Sequence, residues 1–346
     1  MAGTWANQNK ILPGAYINFL TDAPLSITPG DRGIVVLLQE MSTGTAGEMY
    51  KITASCDDEF PNGSVDKDRL LVNEALKGAQ TVIIYNLGKE HTAEVISKAL
   101  TDLRTVDFSV LSYPYNGENY TTNKETISNW VKAMRDDEGV KIQAVLADYD
   151  GNYEGIINVV QGVKLSDGTE LTPAQVAAWV AGISAGANVN ESNTGKKYGK
   201  AIDVVPRMTK TEMETAVTMG KFILKVDTAQ NVSVVYDINS LTEKEKGSQF
   251  KKNRVIRTID SINNDITEIF DSNYIGKIDN NADGRSLLRA SLIEYFGEMQ
   301  RLNAIKNFTP ENVTVDLGSD GDAVVVNCSV QPTDSVEKIY ITVNLT

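Results

Sequence analysis

The chain has 346 residues, 41% hydrophobic and 23% charged, with a formal net charge of −13 at pH 7. That composition gives an ordinary globular core, and the length suits two or three domains of about 100–200 residues each. The acidic balance argues against coating nucleic acid. One His and two Cys in the whole chain leave no supply for a zinc finger, a His–Cys metal cluster or a His-rich acid–base site.

Residues 1–21 read as an arm. Pro13-Gly14 breaks it, and Ala15, Tyr16, Ile17, Asn18 and Phe19 follow as one weakly alternating strand. With no hairpin partner nearby, this strand must pair with something distant, in this chain or in another. The opening residues lack the charged and apolar regions of a signal peptide, and no run approaches the ~18 apolar residues that span a bilayer. A soluble chain made in the cytoplasm is expected. Cys56 and Cys328 stand outside any CxxC spacing and are expected as reduced thiols, with a disulfide left open.

Strands are predicted over 33–38 and 81–85, with an amphipathic helix over 70–77 between them. Helix and strand then alternate: helix 91–103, strand 107–111, helix 123–135, strands 140–147 and 155–163. A helix opens at Thr172-Pro173 and runs through 185, Pro sitting in the first turn as helices prefer. Strand 203–205, helix 210–219 and strand 222–226 follow. Apolar strands taking turns with helices imply a mostly parallel sheet covered on both faces.

After Leu241 the pattern changes. Val255, Ile259, Ile262, Ile266 and Ile269 mark one face of a long helix, and Leu288, Leu292, Phe296, Met299 and Leu302 mark a second. A β-hairpin is predicted over 313–330. The last ten residues alternate Ile339, Ile341 and Val343 with Tyr340, Thr342 and Asn344, a second terminal strand without a local partner. Residues 250–306 carry 9 Lys and Arg against 8 Asp and Glu, so this helical pair escapes the general acidity. The fold class is α/β, α+β overall: a helix-covered, mostly parallel middle sheet, a C-terminal α+β domain, and extended arms at both ends.

No motif carries chemistry convincingly. The run 279–284 copies half of a calcium loop, but Ala290 stands where a bidentate Glu belongs, so it reads as a helix-capping turn. Gly182-Ile183-Ser184-Ala185-Gly186 imitates a nucleophile elbow yet lies inside a helical pattern, where small residues allow close packing. No phosphate-binding glycine loop is present. His91 follows Lys89-Glu90 and reads as a solvated residue at a helix start. The acidic runs 57–59 and 136–138 read as solvated loop charge. Lys251, Lys252, Arg254 and Arg257 form the one basic cluster, equally suited to a solvent-facing helix side or to a grip on phosphate or an acidic protein surface.

Several strings, in order, resemble the tail sheath proteins of contractile phage tails and R-type bacteriocins of Gram-positive hosts. Pro13-Gly14-Ala15-Tyr16-Ile17-Asn18-Phe19 resembles the family's PGxYINF opening, and Glu74-Ala75-Leu76-Lys77-Gly78-Ala79 its EALKGA segment. The helix around Ala181-Gly182 and Ala185-Gly186, the stretch Phe250 to Arg257, Tyr274 to Lys277 and the closing strand Glu337 to Val343 resemble later segments. Asn86 departs from the family, which usually has a basic residue there.

The resemblance implies a structural protein, not an enzyme, with no cofactor and no resident metal. It implies subunits stacked as six-membered rings into a sleeve around an inner tube, contracting to drive the tube through a cell envelope. Its partners would be further copies of itself, the inner tail tube protein, and baseplate and tail-end or collar proteins, with no direct nucleic-acid binding and no membrane insertion. Assembly would occur in the bacterial cytoplasm, the product being part of a phage tail or bacteriocin particle. The terminal arms, with Ala15, Tyr16, Ile17, Asn18 and Phe19 at one end and Lys338, Ile339, Tyr340, Ile341, Thr342 and Val343 at the other, would exchange strands between neighbours. The expected divisions are an arm (1–21), an N-terminal segment (22–90), an outer middle domain (91–236), an inner, tube-facing domain (237–333) and a closing arm (334–346). Arg285, Arg289 and Arg301 are the first candidates for tube contact, with Lys251, Arg254 and Arg257 behind them. The rival reading is a hydrolase-like α/β enzyme using carboxylate chemistry.

Overall fold

The computed structural model describes residues 33–53, 59–243 and 246–344. The strand expected over 15–19, Cys56 and the first two residues of the acidic run 57–59 lie outside the described residues.

The chain enters through β1 (Ile34–Gln39), β2 (Met49–Ile52), α1 (Asp66–Ala75) and β3 (Thr81–Asn86). It continues through α2 (Ala93–Asp102), β4 (Val110–Tyr113), α3 (Thr121–Asp136), β5 (Gln143–Ala147) and β6 (Ile156–Val159). Then come β7 (Gly162–Leu165), β8 (Glu170–Leu171), α4 (Pro173–Gly186), β9 (Ala201–Val205) and α5 (Lys210–Thr218). Short strands β10 (Lys221–Phe222), β11 (Leu224–Val226) and β12 (Val232–Val234) lead to α6 (Asn253–Ile269) and α7 (Ala282–Arg301). The chain closes with β13 (Ile305–Lys306), β14 (Val313–Leu317), β15 (Val324–Cys328) and β16 (Gln331–Pro332).

The principal sheet has seven strands in the order β10-β6-β5-β4-β1-β3-β2. Every pairing in it is parallel except that of β2, which runs antiparallel to β3 at one edge. Its strands are apolar on consecutive residues because helices cover both faces. Val35 and Leu37 join the core with α1 and α4, while Val36 and Leu38 join the core with α2 and α3. β1 is central, so the sheet crosses the division expected at residue 90. Strands from both sides of it form one hydrogen-bonded layer.

Helix α4 is the buried keel of this body. Thr172 caps it: Gln175 N–H donates to the Thr172 hydroxyl, and the Gln175 side chain accepts from Thr172 N–H at 2.9 Å. Its glycines let α1 approach. A Cβ on Gly182 would stand 2.1 Å from the Ala75 carbonyl oxygen, and one on Gly186 would stand 1.8 Å from that of Gly78. The small residues therefore serve packing, as expected, and Ser184 is 1% exposed within the helix rather than at an elbow.

Two predicted strands prove to be broken. Strand 155–163 divides into β6 in the main sheet and β7 in a three-stranded sheet with β8 and β9. Strand 222–226 divides into β10 in the main sheet and β11 paired with β12. The two breaks adjoin, and the fully buried Gln161 amide joins them. Its Nε2 donates to the Pro206 carbonyl at 2.8 Å, and its Oε1 accepts from Leu224 N–H at 2.8 Å. A break inside an apolar run leaves no periodicity signal; the buried amide is its one mark.

The C-terminal region packs α7 against the inner side of the β14–β15 hairpin, with Leu292, Tyr295, Phe296 and Met299 at its core. Ile262, Ile266 and Ile269 of α6 join this cluster. The opposite, polar side of α6 faces the middle body. Asp260 receives a two-pronged hydrogen bond from Arg135 of α3 at 2.6 and 2.8 Å, both side chains being buried. Asn264 bonds both the N–H and the carbonyl of Lys141. Thr258 donates to the Val189 carbonyl at 3.1 Å. The periodicity found the apolar face of α6; its buried residues also include the polar Arg257, Thr258, Asp260 and Ser261 beside Val255 and Ile256.

Candidate assembly surface

The carboxyl ends of β1 and β4 flank the point where the sheet's order reverses, the usual ligand crevice of open α/β sheets. Here His91 fills it. Its Nδ1 lies 2.7 Å from Glu40 Oε1 and its Nε2 lies 2.7 Å from the Tyr113 hydroxyl. The ring stacks on Tyr120 at a centroid distance of 5.5 Å and leans on Tyr115 at 4.7 Å. The imidazole is fully buried. Burial pushes the Tyr113 and Tyr115 phenols well above their ordinary range. The solvated histidine expected from the sequence is thus a plug in the place where an enzyme of this architecture keeps its substrate. Aromatic residues some 20–30 positions downstream, Tyr113, Tyr115 and Tyr120, give no local signal of this contact.

The calcium-loop imitation resolves as anticipated into a cap: the Asn281 side chain accepts from Gly284 N–H at 2.8 Å, opening α7. No group of three or more His, Cys, Asp or Glu able to hold a metal occurs among the described residues.

The six basic residues nominated for contact are dispersed. Arg301 is the exposed one, paired with Glu298 one turn back. Arg289 lies along α7 and binds the Val313 and Pro310 carbonyls at 2.9 and 2.6 Å, tying the helix to the hairpin. Arg285 holds the Asn280 side chain at 3.0 Å. Lys251 donates to the Val217 and Thr218 carbonyls at the end of α5, and burial lowers its pKa. Arg254 is 8% exposed and reaches the Asn303 carbonyl. Arg257 is corrected outright: at 1% exposure, bound to the Glu191 carbonyl at 2.7 Å and facing Asp237 at 3.7 Å, it is an internal tie and has no surface to offer. Its charge served as the sequence signal, and the same charge is consumed inside.

The segment after β16 differs from the rest of the molecule. Residues 333–344 form no strand among the described residues. Ile339, Tyr340, Ile341 and Val343 are 75%, 90%, 78% and 75% exposed. At its base one side chain is buried: Glu337, 7% exposed, against Lys252, 14% exposed, at the entry to α6. Glu337 Oε1 also accepts from the Ser192 and Thr194 hydroxyls at 3.1 and 2.7 Å. Lys252 sits 4.4 Å from the centre of the Tyr236 ring. Burial works against the charge on Lys252, yet Glu337 and Tyr236 together raise its pKa overall.

Comparison with known proteins matches three family models in succession. They are the tail sheath protein Gp18 domain III N-terminal region over residues 32–87, the phage tail sheath protein central domain over 89–240, and the phage tail sheath C-terminal domain over 245–346. The crystal structure of the sheath tail protein from Desulfitobacterium hafniense superposes with a TM-score of 0.83 at 33% identity, covering 95% of this chain and 99% of that one. The chain belongs to the phage tail sheath protein family. It is therefore a structural protein and not an enzyme. This sheath chain is also 36% identical over 257 residues to the phage-like element PBSX protein XkdK of Bacillus subtilis, covering 71% of the chain and 54% of that protein. It spans about half the length of the curated Bacillus subtilis relatives that it matches. The contracted helical sheath of the anti-feeding prophage shares the fold, with a TM-score of 0.77 at 15% identity and 97% of this chain covered. The sheath protein's first two family models meet near residue 88, inside one continuous sheet.

Proposed function

We propose that this chain is the repeating subunit of a contractile tail sheath in a phage or phage-like particle. Copies stack as six-membered rings around an inner tube, and contraction drives that tube through the target envelope. The observation that supports the reading best is the exposed, alternating segment 338–343. A segment in which three aliphatic residues alternate with polar ones, unpaired among the described residues, is suited to add as a strand to another chain's sheet, where main-chain hydrogen bonds provide affinity. The N-terminal strand, Ala15, Tyr16, Ile17, Asn18 and Phe19, makes the matching link at the other end. Contacts that run head to tail without closing give helical polymers. The inner domain carries the tube contact through Arg301 at the end of α7, with Arg285 and Arg289 as the further candidates nearer its start. Exposed ion pairs are individually worth ~0–1 kcal/mol, which suits a contact that must release. Baseplate and collar proteins bound the polymer at its ends, and assembly precedes release from the cell.

Removing residues 334–346 is expected to leave a folded, soluble subunit that cannot polymerise. Sleeves of normal length in negative-stain micrographs of the truncated protein would overturn the strand-exchange reading. Reversing Arg301 to Glu should loosen the sleeve from the tube in co-sedimentation while self-assembly persists; unchanged co-sedimentation would remove α7 from the tube contact.

A further inference from the structure

The closing arm is held to the body at its base, with Glu337 as the one side chain of it that is buried. From 336 to 343 the exposed apolar residues are Val336 (83%), Ile339, Tyr340, Ile341 and Val343, and Glu337 alone turns inward. Its carboxylate collects donors from three separate places: the Ser192 and Thr194 hydroxyls in the loop after α4, the Lys252 ammonium at the entry to α6, and the Ser335 hydroxyl of the arm itself at 3.3 Å. Lys252 also reaches Asp334 at 3.3 Å. The loop is in turn bound to the body, since Thr194 Oγ1 accepts from Asp237 N–H at 3.0 Å and Asn193 N–H donates to Asp237 Oδ2 at 2.9 Å. Asp237 receives Asn253 Nδ2 at 2.9 Å, beside the start of α6.

We propose that the Glu337–Lys252 node is the fixed base of the arm, the point at which tension on strand 338–343 enters the subunit body. The inference rests on the strand-exchange reading and adds where the load goes. The arm's free length then begins at Lys338, not at Pro332. The strand segment itself, residues 338–343, reaches about 20 Å when extended at about 3.3 Å each. Charged hydrogen bonds in a buried setting are the strong class, and removing one partner leaves the other buried and uncompensated. A pin of this kind resists sideways pull, whereas the two-residue pairing of β13 with β16 upstream offers two Cα registers, Ile305 with Pro332 and Lys306 with Gln331. Load passed to Lys252 travels into α6, which is clamped to the middle body through Asp260 and Asn264.

Trypsin cleavage after Lys338, followed by mass spectrometry of the full-length subunit, reads the node directly. Glu337→Ala and Lys252→Met are each expected to raise the cleavage rate about tenfold, with the double variant no faster than either. Sleeves built from either variant should shed subunits at lower urea concentration than wild type. A chain truncated after Glu337 separates the two ideas. If it still builds normal sleeves, strand exchange fails and the load path fails with it. If it builds none, yet the point variants match wild type in cleavage rate or in sleeve resistance to urea, the node alone is overturned. Should Glu337→Ala fail to fold, Glu337→Gln keeps the test. The amide retains the hydroxyl contacts and loses the charge, so an intermediate cleavage rate is expected and a wild-type rate counts against the node.

Discussion

At the scale of single residues, the molecule depends on a few side chains with no room to change. Gly182 is one. Adding a Cβ there would place it 2.1 Å from the Ala75 carbonyl oxygen, a backbone atom that cannot step aside. Overpacking of this sort costs about 1–3 kcal/mol. Gly182→Ala should therefore lower the melting temperature, and an unchanged melting curve would show that α1 and α4 separate freely. Asp68 is another, 3% exposed at the third position of α1. Burial raises its pKa, but the Ser42 hydroxyl together with the Ser42 and Val65 N–H groups lowers it by more, and the balance is a pKa below the usual carboxylate range. A folded-state pKa that is depressed stabilises above the unfolded value of about 3.9, and that contribution is lost as pH falls through the folded one. Asp68→Asn should thus destabilise by about 1–2 kcal/mol at pH 7, with the gap between variant and wild type closing below pH 4 in urea melts. A gap independent of pH would contradict this origin. Asp68 and Gly182 were both visible in the sequence as residue types, but their partners were not, because Ser42 and Ala75 are fixed by the fold and not by spacing.

At the scale of elements, most helices and strands were legible because their periodicities are strong. Helices α3, α4, α6 and α7 emerged within a few residues of their observed ends, each with a continuous apolar face or a recognisable cap. What escaped was the burial of charge on α6. Of its aliphatic stripe Val255, Ile259, Ile262, Ile266 and Ile269, Val255 is buried, yet Arg257, Asp260 and Asp265 are more deeply buried than the four isoleucines. A charged residue is read as solvent-facing by default, and only the partner Arg135, 125 positions earlier, says otherwise. The pair predicts its own test. Asp260→Ala leaves the Arg135 guanidinium buried and uncompensated and should cost about 3–5 kcal/mol, while replacing both with apolar residues of similar volume should recover most of that loss. Denaturant titration of the two variants compares them; a double variant as unstable as the single one would assign the loss to packing. The broken strands at 155–163 and 222–226 escaped for a different reason. Both halves of each are apolar, so periodicity cannot locate a change of sheet.

At the scale of the whole molecule, the principal sheet decides what can be cut from what. Sequence reading placed a division at residue 90, where a run of polar residues separates two strand-and-helix blocks. Two family models also meet there, while β4 pairs β1 over Val35 to Leu37, so strands from both blocks share one ladder. A fragment of residues 91–236 would expose the β4 edge together with the apolar faces that β1 and β3 cover. It is expected to aggregate or to remain unfolded by circular dichroism; a cooperative melt from that fragment would show that the blocks are independent after all. The candidate assembly surface was legible in part. The alternation of 339–344 predicts a strand without a local partner; among the described residues that segment forms no strand and stands exposed. The nominated basic residues fared worse, because five of the six make bonds to backbone or amide groups within the subunit, and a list of charges carries no sign of that.

The exposed arm has a cost in solution. Ile339, Tyr340, Ile341, Thr342 and Val343 make a short stretch of high β-propensity without a charge or a proline, the composition that promotes uncontrolled cross-β stacking when edges are left open. Lys338 is the one basic residue between positions 307 and 346, and it stands immediately before that stretch. It is placed as a gatekeeper, its ammonium set against a second arm stacked in register, while the net charge of −13 keeps whole subunits apart. Replacing Lys338 with Val should leave the folded body intact and turn a clear stock of subunits turbid on standing. Colloidal shelf life before assembly, rather than strength after it, is the property that this substitution is expected to change.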